Sequence, residues 1–315
     1  MKKLLVLLLL VAPSLVLKAN ADSILSADLS SFAVLGASAV TNVPTSTVVG
    51  SVGVSPGSAI TGFNSSPGVA VSDPQVTQGT VQATTAVAEQ AQNDLTIAKT
   101  TLSSLGAGTL LSSDLAGLTL FPGVYTLPAG VSNLTGTLTL DGQGNANAAW
   151  VFQVASTLIT SPGSVVDVIN TGSGAGLYWN VGSSATLDTT TSFQGNILGL
   201  ASVTLNTGAT IGCGRALANT GAVTMDMNTI GFGCDAGTGG EGSNGFSGGL
   251  TYVETPEGPV ATILPVVPVG ESGGGGDNGG GGSPVPEPAT LFLMGTGLAG
   301  IVARSRKKRK LNVGQ

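Results

Sequence analysis

Apolar and small polar residues alternate through residues 150–232, in segments that recur along the chain. Alternation with a period of two is typical of β-strands that bury one face. A recurrence of about twenty residues is typical of a solenoid, in which each repeat forms one rung of a stack. The four aligned segments begin at Ser156, Ser184, Ser202 and Ala222, and they end on the large apolar residues Val165, Phe193, Ile211 and Ile230.

The alternation also predicts which side chains point into the stack. The outward positions hold mainly Thr and Ser, although Asp188 and Asp226 place charge in one outward column. Such a surface is wide, flat and almost neutral. We expect two inward columns, formed by Ile159, Leu187, Leu205 and Met225 and by Val165, Phe193, Ile211 and Ile230.

The N-terminal part shows the same short strands and Gly/Pro turns over residues 22–63. The segment Ser55-Pro-Gly-Ser58 resembles Ser161-Pro-Gly-Ser164, which indicates that both parts share one solenoid. Between them the sequence predicts one long helix over residues 75–104, with Pro74 at its first position and Gly106 after its end. Its stripe of Ala, Val and Leu must be buried, and we expect it on the side of the solenoid; dimerisation through the helix is the alternative.

Residues 1–21 have the pattern of a secretory signal peptide. Lys2 and Lys3 precede an apolar run, and Ala19-Asn-Ala21 is a cleavage site of the usual small-residue type. An N-terminal membrane anchor is the alternative, but the apolar run is shorter than the ~20 residues that span a bilayer. Residues 235–284 are rich in Gly and Pro, and they predict a flexible linker.

The C-terminal residues 285–310 combine the motif Pro286-Glu287-Pro288 with a short apolar stretch and a cluster of Lys and Arg. This order resembles the PEP-CTERM sorting signal of Gram-negative bacteria. The resemblance implies export by the Sec translocon, transient contact with the membrane and processing by an exosortase. A tail anchor is the alternative.

The charge of the chain excludes one class of partner. The net charge is −6, but Lys99 and Arg215 are the only cations between residues 22 and 303, against all 17 Asp and Glu. An acidic surface repels phosphate, so we expect no nucleic-acid partner. The chain has no histidine and its carboxylates are scattered, so we expect no metal site, no cofactor and no enzymatic activity.

The two cysteines, Cys213 and Cys234, flank the last repeat. A disulfide is the expected state in an exported protein, and it would hold the final rung against fraying. Two free thiols are the alternative.

Several segments together resemble the microbial ice-binding protein family. The resemblance covers residues 25–234 and implies a right-handed, three-faced, discontinuous β-solenoid with one long α-helix alongside, built from residues 22–234. It also implies adsorption to ice through one flat β-face. The segments that carry it are Phe32-Ala-Val-Leu-Gly-Ala-Ser-Ala-Val-Thr-Asn42, Gly50-Ser-Val-Gly-Val-Ser-Pro-Gly57, Phe121-Pro-Gly-Val-Tyr125, Trp150-Val-Phe-Gln153, Trp179-Asn-Val-Gly-Ser-Ser-Ala-Thr186, Gly195-Asn-Ile-Leu198 and Leu205-Asn-Thr-Gly-Ala209.

Some members of this family carry a Thr-Ala/Gly-x-Thr/Asn motif on the ice-binding surface, and Thr207-Gly-Ala-Thr210 matches it. We therefore expect a monomer that acts outside the cell or at its surface, with ice and ordered water as its partners. A surface or biofilm-matrix adhesin is the alternative function. The candidate ice-binding residues are Thr186, Thr189, Thr191, Ser192, Thr204, Thr207, Thr210 and Thr224.

Overall fold

The computed structural model describes residues 22–234 and 239–269. The predicted signal peptide and sorting signal lie outside the described residues. The described chain has two helices, α1 (Ala27–Ser30) and α2 (Ala86–Ser103). Its strands are β1 (Asp22–Ser23), β2 (Phe32–Gly36), β3 (Ala39–Val43), β4 (Thr47–Val49), β5 (Ser51–Val54), β6 (Ala59–Thr61), β7 (Ala70–Val71), β8 (Val76–Thr77), β9 (Val81–Ala83), β10 (Thr109–Leu110), β11 (Thr119–Leu120), β12 (Gly123–Leu127), β13 (Val131–Leu134), β14 (Thr137–Asn145), β15 (Ala149–Val154), β16 (Thr157–Thr160), β17 (Val165–Thr171), β18 (Gly176–Val181), β19 (Ala185–Leu187), β20 (Ser192–Gly199), β21 (Val203–Leu205), β22 (Thr210–Ala218), β23 (Val223–Asp226), β24 (Thr229–Gly231), β25 (Leu250–Thr255) and β26 (Gly258–Ile263).

The strands form a β-solenoid with three faces, as the sequence predicted. One face is a seven-stranded parallel sheet in the order β13-β16-β19-β21-β23-β3-β6. The other two faces belong to a sixteen-stranded sheet, because the long strands β20 and β22 bend around a corner and contribute to both. Apolar side chains from all three faces meet in one core, and the outward side chains alternate with them.

The order of the rungs does not follow the order of the chain. The last C-terminal rung, β22–β24, pairs in parallel with the first N-terminal rung, β2–β4. The N-terminal rungs therefore continue the stack that the C-terminal rungs begin. This confirms the prediction of one shared, discontinuous solenoid.

The long helix is shorter than predicted. It begins after Thr85, whose hydroxyl accepts a hydrogen bond from the amide of Ala88, and not near Pro74. The residues before it form the short strands β8 and β9, because Val76 and Val81 each continue a parallel ladder of the stack. Tertiary pairing thus overrides the local helical pattern over residues 75–84.

Helix α2 packs on the third face of the solenoid, which confirms the predicted position of the helix. Its buried stripe meets outward side chains of the strands beneath it, such as Tyr178, Leu198 and Leu217. A helix of 18 residues is about 27 Å long, which matches about six strand spacings of the sheet below. The helical residues in this contact are Ala88, Ala91, Leu95, Ala98 and Leu102.

The predicted inward columns are correct except in the first rung. Leu158 and not Ile159 points into the core, because Leu158 pairs with Ala185 while Ile159 pairs with Thr186. Val165 pairs with Ser192, an exposed residue, so its neighbour Val166 occupies the inward position. The predicted register of this rung was wrong by one residue. A shift of one residue exchanges the inward and outward faces of a strand.

The predicted linker is wrong for residues 239–269, which fold onto the solenoid; we call this segment the C-terminal clasp. Phe246 is 0% exposed within the main core. The hairpin β25–β26 pairs with β1, and the amide of Ala261 donates to Ser104 Oγ at 2.9 Å. The backbone of the clasp lies so close to the solenoid that Gly176 has no room for a side chain, because a Cβ there would lie 1.9 Å from the carbonyl oxygen of Gly248.

The predicted disulfide between Cys213 and Cys234 is present. Its predicted role at the end of the stack is wrong, because the rung that it joins lies inside the solenoid. The N-terminal rungs stack on one side of that rung, and the clasp residue Ser243 lies beside both sulfur atoms. The disulfide therefore fastens an interior rung near a corner.

Candidate functional site

Five threonines form one continuous column on the outer surface of the seven-stranded sheet. They pair directly across neighbouring strands, with no shift of register between them. At a strand spacing of about 4.8 Å the column is about 19 Å long. The members of this threonine column, in spatial order, are Thr186, Thr204, Thr224, Thr41 and Thr61.

Sequence reasoning found the first three of these threonines and missed Thr41 and Thr61. A signal for all five exists in the sequence. Each column threonine ends a tripeptide made of a small residue, a buried apolar residue and Thr. The five tripeptides are Ser184-Ala-Thr186, Ser202-Val-Thr204, Ala222-Val-Thr224, Ala39-Val-Thr41 and Ala59-Ile-Thr61.

The rows beside the threonine column differ in chemistry. The small first residues of the tripeptides form one row, in which Ala39 pairs with Ala59, and they keep the surface level. The opposite row holds Asp188, Asn206 and Asp226, and we call these three residues the edge row. The sheet therefore presents a flat surface of hydroxyls and methyl groups with polar and acidic side chains along one side.

Neighbouring rungs satisfy the carboxylates of the edge row. The Asn206 side-chain amide donates to Asp188 Oδ1 at 2.9 Å, and the Thr189 backbone amide donates to the same oxygen at 2.8 Å. The hydrogen bond from Asn206, and then that from Thr189, hold the pKa of Asp188 below its usual range. The Thr207 hydroxyl donates to Asp226 Oδ2.

A second column of polar residues runs along the adjoining face. This face is less regular, because the ladder between β14 and β17 contains a shift of register after Asp141. An aliphatic residue, Val165, also interrupts the column. Its members, in spatial order, are Thr137, Val165, Ser192, Thr210, Thr229 and Thr47.

The structure thus divides the predicted candidates among two faces and a corner. Thr186, Thr204 and Thr224 lie on the seven-stranded sheet, whereas Ser192 and Thr210 lie on the adjoining face. The remaining three candidates belong to the turns at the corner between these faces. Of these, Thr189 and Thr207 are accessible and Thr191 is not.

The candidate Thr191 is wrong as a surface residue. Its side chain is 0% exposed, and its hydroxyl shares a 2.7 Å hydrogen bond with the Thr160 hydroxyl. The turn directs this position inward, where Ser164 and Asn228 are buried in the neighbouring rungs. Buried polar groups require partners, and these residues form an internal polar column at the corner.

The two cations of the described residues lie away from the threonine column; Arg215 is buried and Lys99 is half-buried. Lys99 donates to Asn180 Oδ1 and to the carbonyls of Val181 and Leu198, and burial lowers its pKa to about 8. Arg215 donates to Ser30 O and Asn196 Oδ1 and lies 4.6 Å from the ring centroid of Phe232. Both cations therefore stabilise the fold rather than a surface site.

The described part of the chain shows neither a cluster of metal-ligating residues nor a helix able to cross a membrane. No three His, Cys, Asp or Glu residues of residues 22–234 and 239–269 lie together as a possible metal site. Within those ranges no helix combines the length and the hydropathy needed to cross a bilayer. The regular threonine surface is the feature that calls for a function.

Comparison with known proteins gives consistent matches. A family model described as ice-binding-like matches residues 34–231, and the model of the PEP-CTERM protein-sorting motif matches residues 284–307. An ice-binding protein of Nostoc sp. (strain HG1) is 47% identical over 206 residues, which cover 65% of this chain and 72% of the relative.

Two solved structures are also similar. An ice-binding protein from an Antarctic biological consortium has 38% identity and a TM-score of 0.58, with 68% of this chain and 93% of that chain covered. An ice-binding protein from an Arctic yeast, whose structure was determined to explain its antifreeze activity, has 27% identity and a TM-score of 0.57. The second match covers 64% of this chain and 91% of that chain.

Proposed function

The chain belongs to the ice-binding-like protein family, and we propose that it adsorbs to ice through the threonine column of the seven-stranded sheet. The observation that carries the choice of face is the unbroken register of five threonines across five strands. The third face is covered by α2, and the adjoining face has a shift of register between β14 and β17 and an aliphatic residue, Val165, in its column. Of the two outward columns, the one on the seven-stranded sheet therefore has the longer unbroken run of threonines.

The physical basis is the cooperation of many weak contacts on a rigid surface. Ice offers neither charge nor a pocket, so each contact is weak and the ordering cost on binding must be small. The β-branch of threonine restricts its side chain to few rotamers, and the parallel ladder fixes the spacing of the column. Waters held by the hydroxyls and by the methyl groups between them then join the ice lattice.

Growth inhibition follows from adsorption. A bound molecule pins the ice front, the front grows outward between pinned molecules, and its curvature lowers the local freezing point. Small ice crystals stop growing and stop recrystallising for the same reason. Catalysis has no place in this mechanism, which needs a surface and no reacting group.

A pair of matched variants tests the face. Thr224→Tyr places a bulky ring in the centre of the threonine column, and Thr229→Tyr places the same ring on the adjoining face of the same rung. We expect Thr224→Tyr to remove most of the thermal hysteresis and Thr229→Tyr to retain it. Both residues are exposed, so circular dichroism and the unfolding midpoint should match those of the wild type.

Loss of hysteresis in Thr229→Tyr but not in Thr224→Tyr would place the ice-binding site on the adjoining face instead. Hysteresis that survives in both variants would exclude both columns. A wild-type protein that neither shows hysteresis nor inhibits recrystallisation at micromolar concentration would contradict ice binding itself.

We also propose that the protein works outside the cell or at its surface, as a monomer. The support is the order of an N-terminal signal-like segment, the folded domain and the matched sorting motif. In this proposal the Sec translocon exports the chain and an exosortase-type enzyme processes it near Pro286–Pro288. Mass spectrometry of the exported protein tests this, because processing removes the C-terminal basic cluster.

A further inference from the structure

We infer that Asp188 and Asp226 are positioning residues for ice binding: their carboxylates hold the side chains of Asn206 and Thr207 in one orientation at the edge of the threonine column. The inference rests on the proposed function of that face. It concerns the two charged groups that would otherwise be defects on a surface that binds a neutral lattice.

Three successive rungs bring the two aspartates to adjacent side chains of the middle rung. Strands β19, β21 and β23 are neighbours in the sheet; Asp188 and Asn206-Thr207 directly follow β19 and β21, and Asp226 is the last residue of β23. Asp188 receives the Asn206 amide from one side of the middle rung, and Asp226 receives the Thr207 hydroxyl from the other side. The two carboxylates therefore hold adjacent side chains of the middle rung between them.

The two aspartates are themselves held by hydrogen bonds from their backbone amides. Asp188 Oδ1 also accepts from the Thr189 amide, and the Asp188 amide donates to Thr160 Oγ1 at 2.8 Å. The Asp226 amide donates to Asn228 Oδ1 at 2.6 Å, and Asn228, which is 1% exposed, donates to the carbonyls of Asn206 and Ala209. The backbone of both aspartates is therefore held in place, and a supporting network of this kind keeps a binding surface in one geometry.

The two carboxylates receive their hydrogen bonds from neutral groups. A carboxylate accepts hydrogen bonds and donates none, so each one needs partners that donate. The two cations of the described residues, Lys99 and Arg215, donate to other groups within the fold. The neutral side chains of Asn206 and Thr207 supply the donors instead, and no cationic side chain of the described residues covers the face.

The consequence concerns the water at the edge of the column. A free threonine hydroxyl rotates and can donate to water or accept from it. The Thr207 hydroxyl gives its proton to Asp226, so it presents only lone pairs to solvent. Waters at this edge must therefore donate to Thr207, and their orientation is fixed before ice arrives.

Substitutions at Asp226 separate this role from a simple effect of charge. Asp226→Asn keeps an acceptor oxygen for Thr207 and removes the charge, whereas Asp226→Ala removes both. If the carboxylate positions Thr207, hysteresis should fall at least roughly twofold in Asp226→Ala, since many weak contacts act together, and stay near the wild-type value in Asp226→Asn. Asp167→Ala, on the adjoining face, changes the charge equally and should leave hysteresis unchanged.

A double variant shows whether the effect passes through Thr207. Thr207→Val removes the hydroxyl and keeps the shape of the side chain. We expect Asp226→Ala to cause no further loss of hysteresis in the Thr207→Val background, a result that a general loss of stability would not give. The unfolding midpoint of each variant is measured alongside.

Two results would overturn the inference. One is wild-type hysteresis in Asp226→Ala, and the other is an equal gain in Asp226→Asn and Asp226→Ala, which would make the charge a defect. The proposed face fails in a different way: Thr224→Tyr would keep full hysteresis in an otherwise active protein, and that result would overturn the face and the inference together.

Discussion

Thr224 and Thr41 lie opposite each other on neighbouring parallel strands, although one belongs to the last C-terminal rung and the other to the first N-terminal rung. The centre of the threonine column is therefore the junction between the two halves of the chain. Packing at this junction sets the flatness of the proposed ice-binding surface, because a register slip there would break the column in two.

The buried hydroxyl of Thr191 should not be needed for ice binding. Thr191→Val removes a buried hydroxyl that pairs with Thr160, which itself accepts from the Asp188 amide. We expect a loss of about 1 kcal/mol in the free energy of unfolding, since a buried partner loses a hydrogen bond. Hysteresis measured near the freezing point should equal that of the wild type, and a loss of hysteresis in a fully folded variant would contradict the buried assignment.

The C-terminal clasp should contribute to the stability of the whole solenoid. Phe246 is fully buried beside residues of the main core, so Phe246→Ala should cost about 3–5 kcal/mol, measured by urea denaturation. Val266→Ala is the matched control, because Val266 lies in the same segment and is 73% exposed. Equal stabilities of the two variants would show that the clasp is dispensable.

The disulfide should stabilise the domain because it restricts the conformations of the unfolded chain. It closes a loop with a sequence separation of 21 residues, and a loop of this length corresponds to about 3 kcal/mol. We expect a reductant to lower the unfolding midpoint of the wild type to that of a double Cys213→Ser, Cys234→Ser variant. The same reductant should leave the double variant unchanged, and a shift in that variant would mean that the reductant acts elsewhere.

Lys99 should make the free energy of unfolding depend on pH in the alkaline range. Burial lowers its pKa to about 8, whereas an unfolded lysine titrates near 10.4, so the folded state binds fewer protons between these values. Stability therefore rises with pH through this window. The unfolding free energy of the wild type should therefore rise relative to that of Lys99→Met as the pH increases through this window. Denaturation below, within and above the window measures the difference. A constant difference would contradict the lowered pKa.

The sequence predicted what depends on local pattern and on family resemblance. Alternation placed Leu187, Leu205 and Phe193 in the core, and the cysteine pair was assigned correctly. Prediction from the sequence failed where pairing between distant parts of the chain determines the structure. Thr41 and Thr61 join the column only because the two halves stack, and residues 75–84 become strands only because neighbouring rungs pair with them.

Composition misled in one further place. The abundance of Gly in residues 239–249 predicted flexibility, yet these glycines let the backbone approach the solenoid closely. Phe246 was the one residue of that segment that indicated a packed role, since a large apolar side chain is rare in a flexible linker. Burial and backbone contact decide between the two roles of glycine, and neither can be deduced from composition.

The pairing of the first rung with the last also sets the timing of folding. During synthesis and export the N-terminal rungs emerge first, but their partner strands β22–β24 are among the last to arrive. Contacts between residues so far apart in the chain form slowly, because a long loop must close before they stabilise anything. The nascent domain therefore stays open until nearly all of it has appeared, and this is the extended state that the proposed export by the Sec translocon requires.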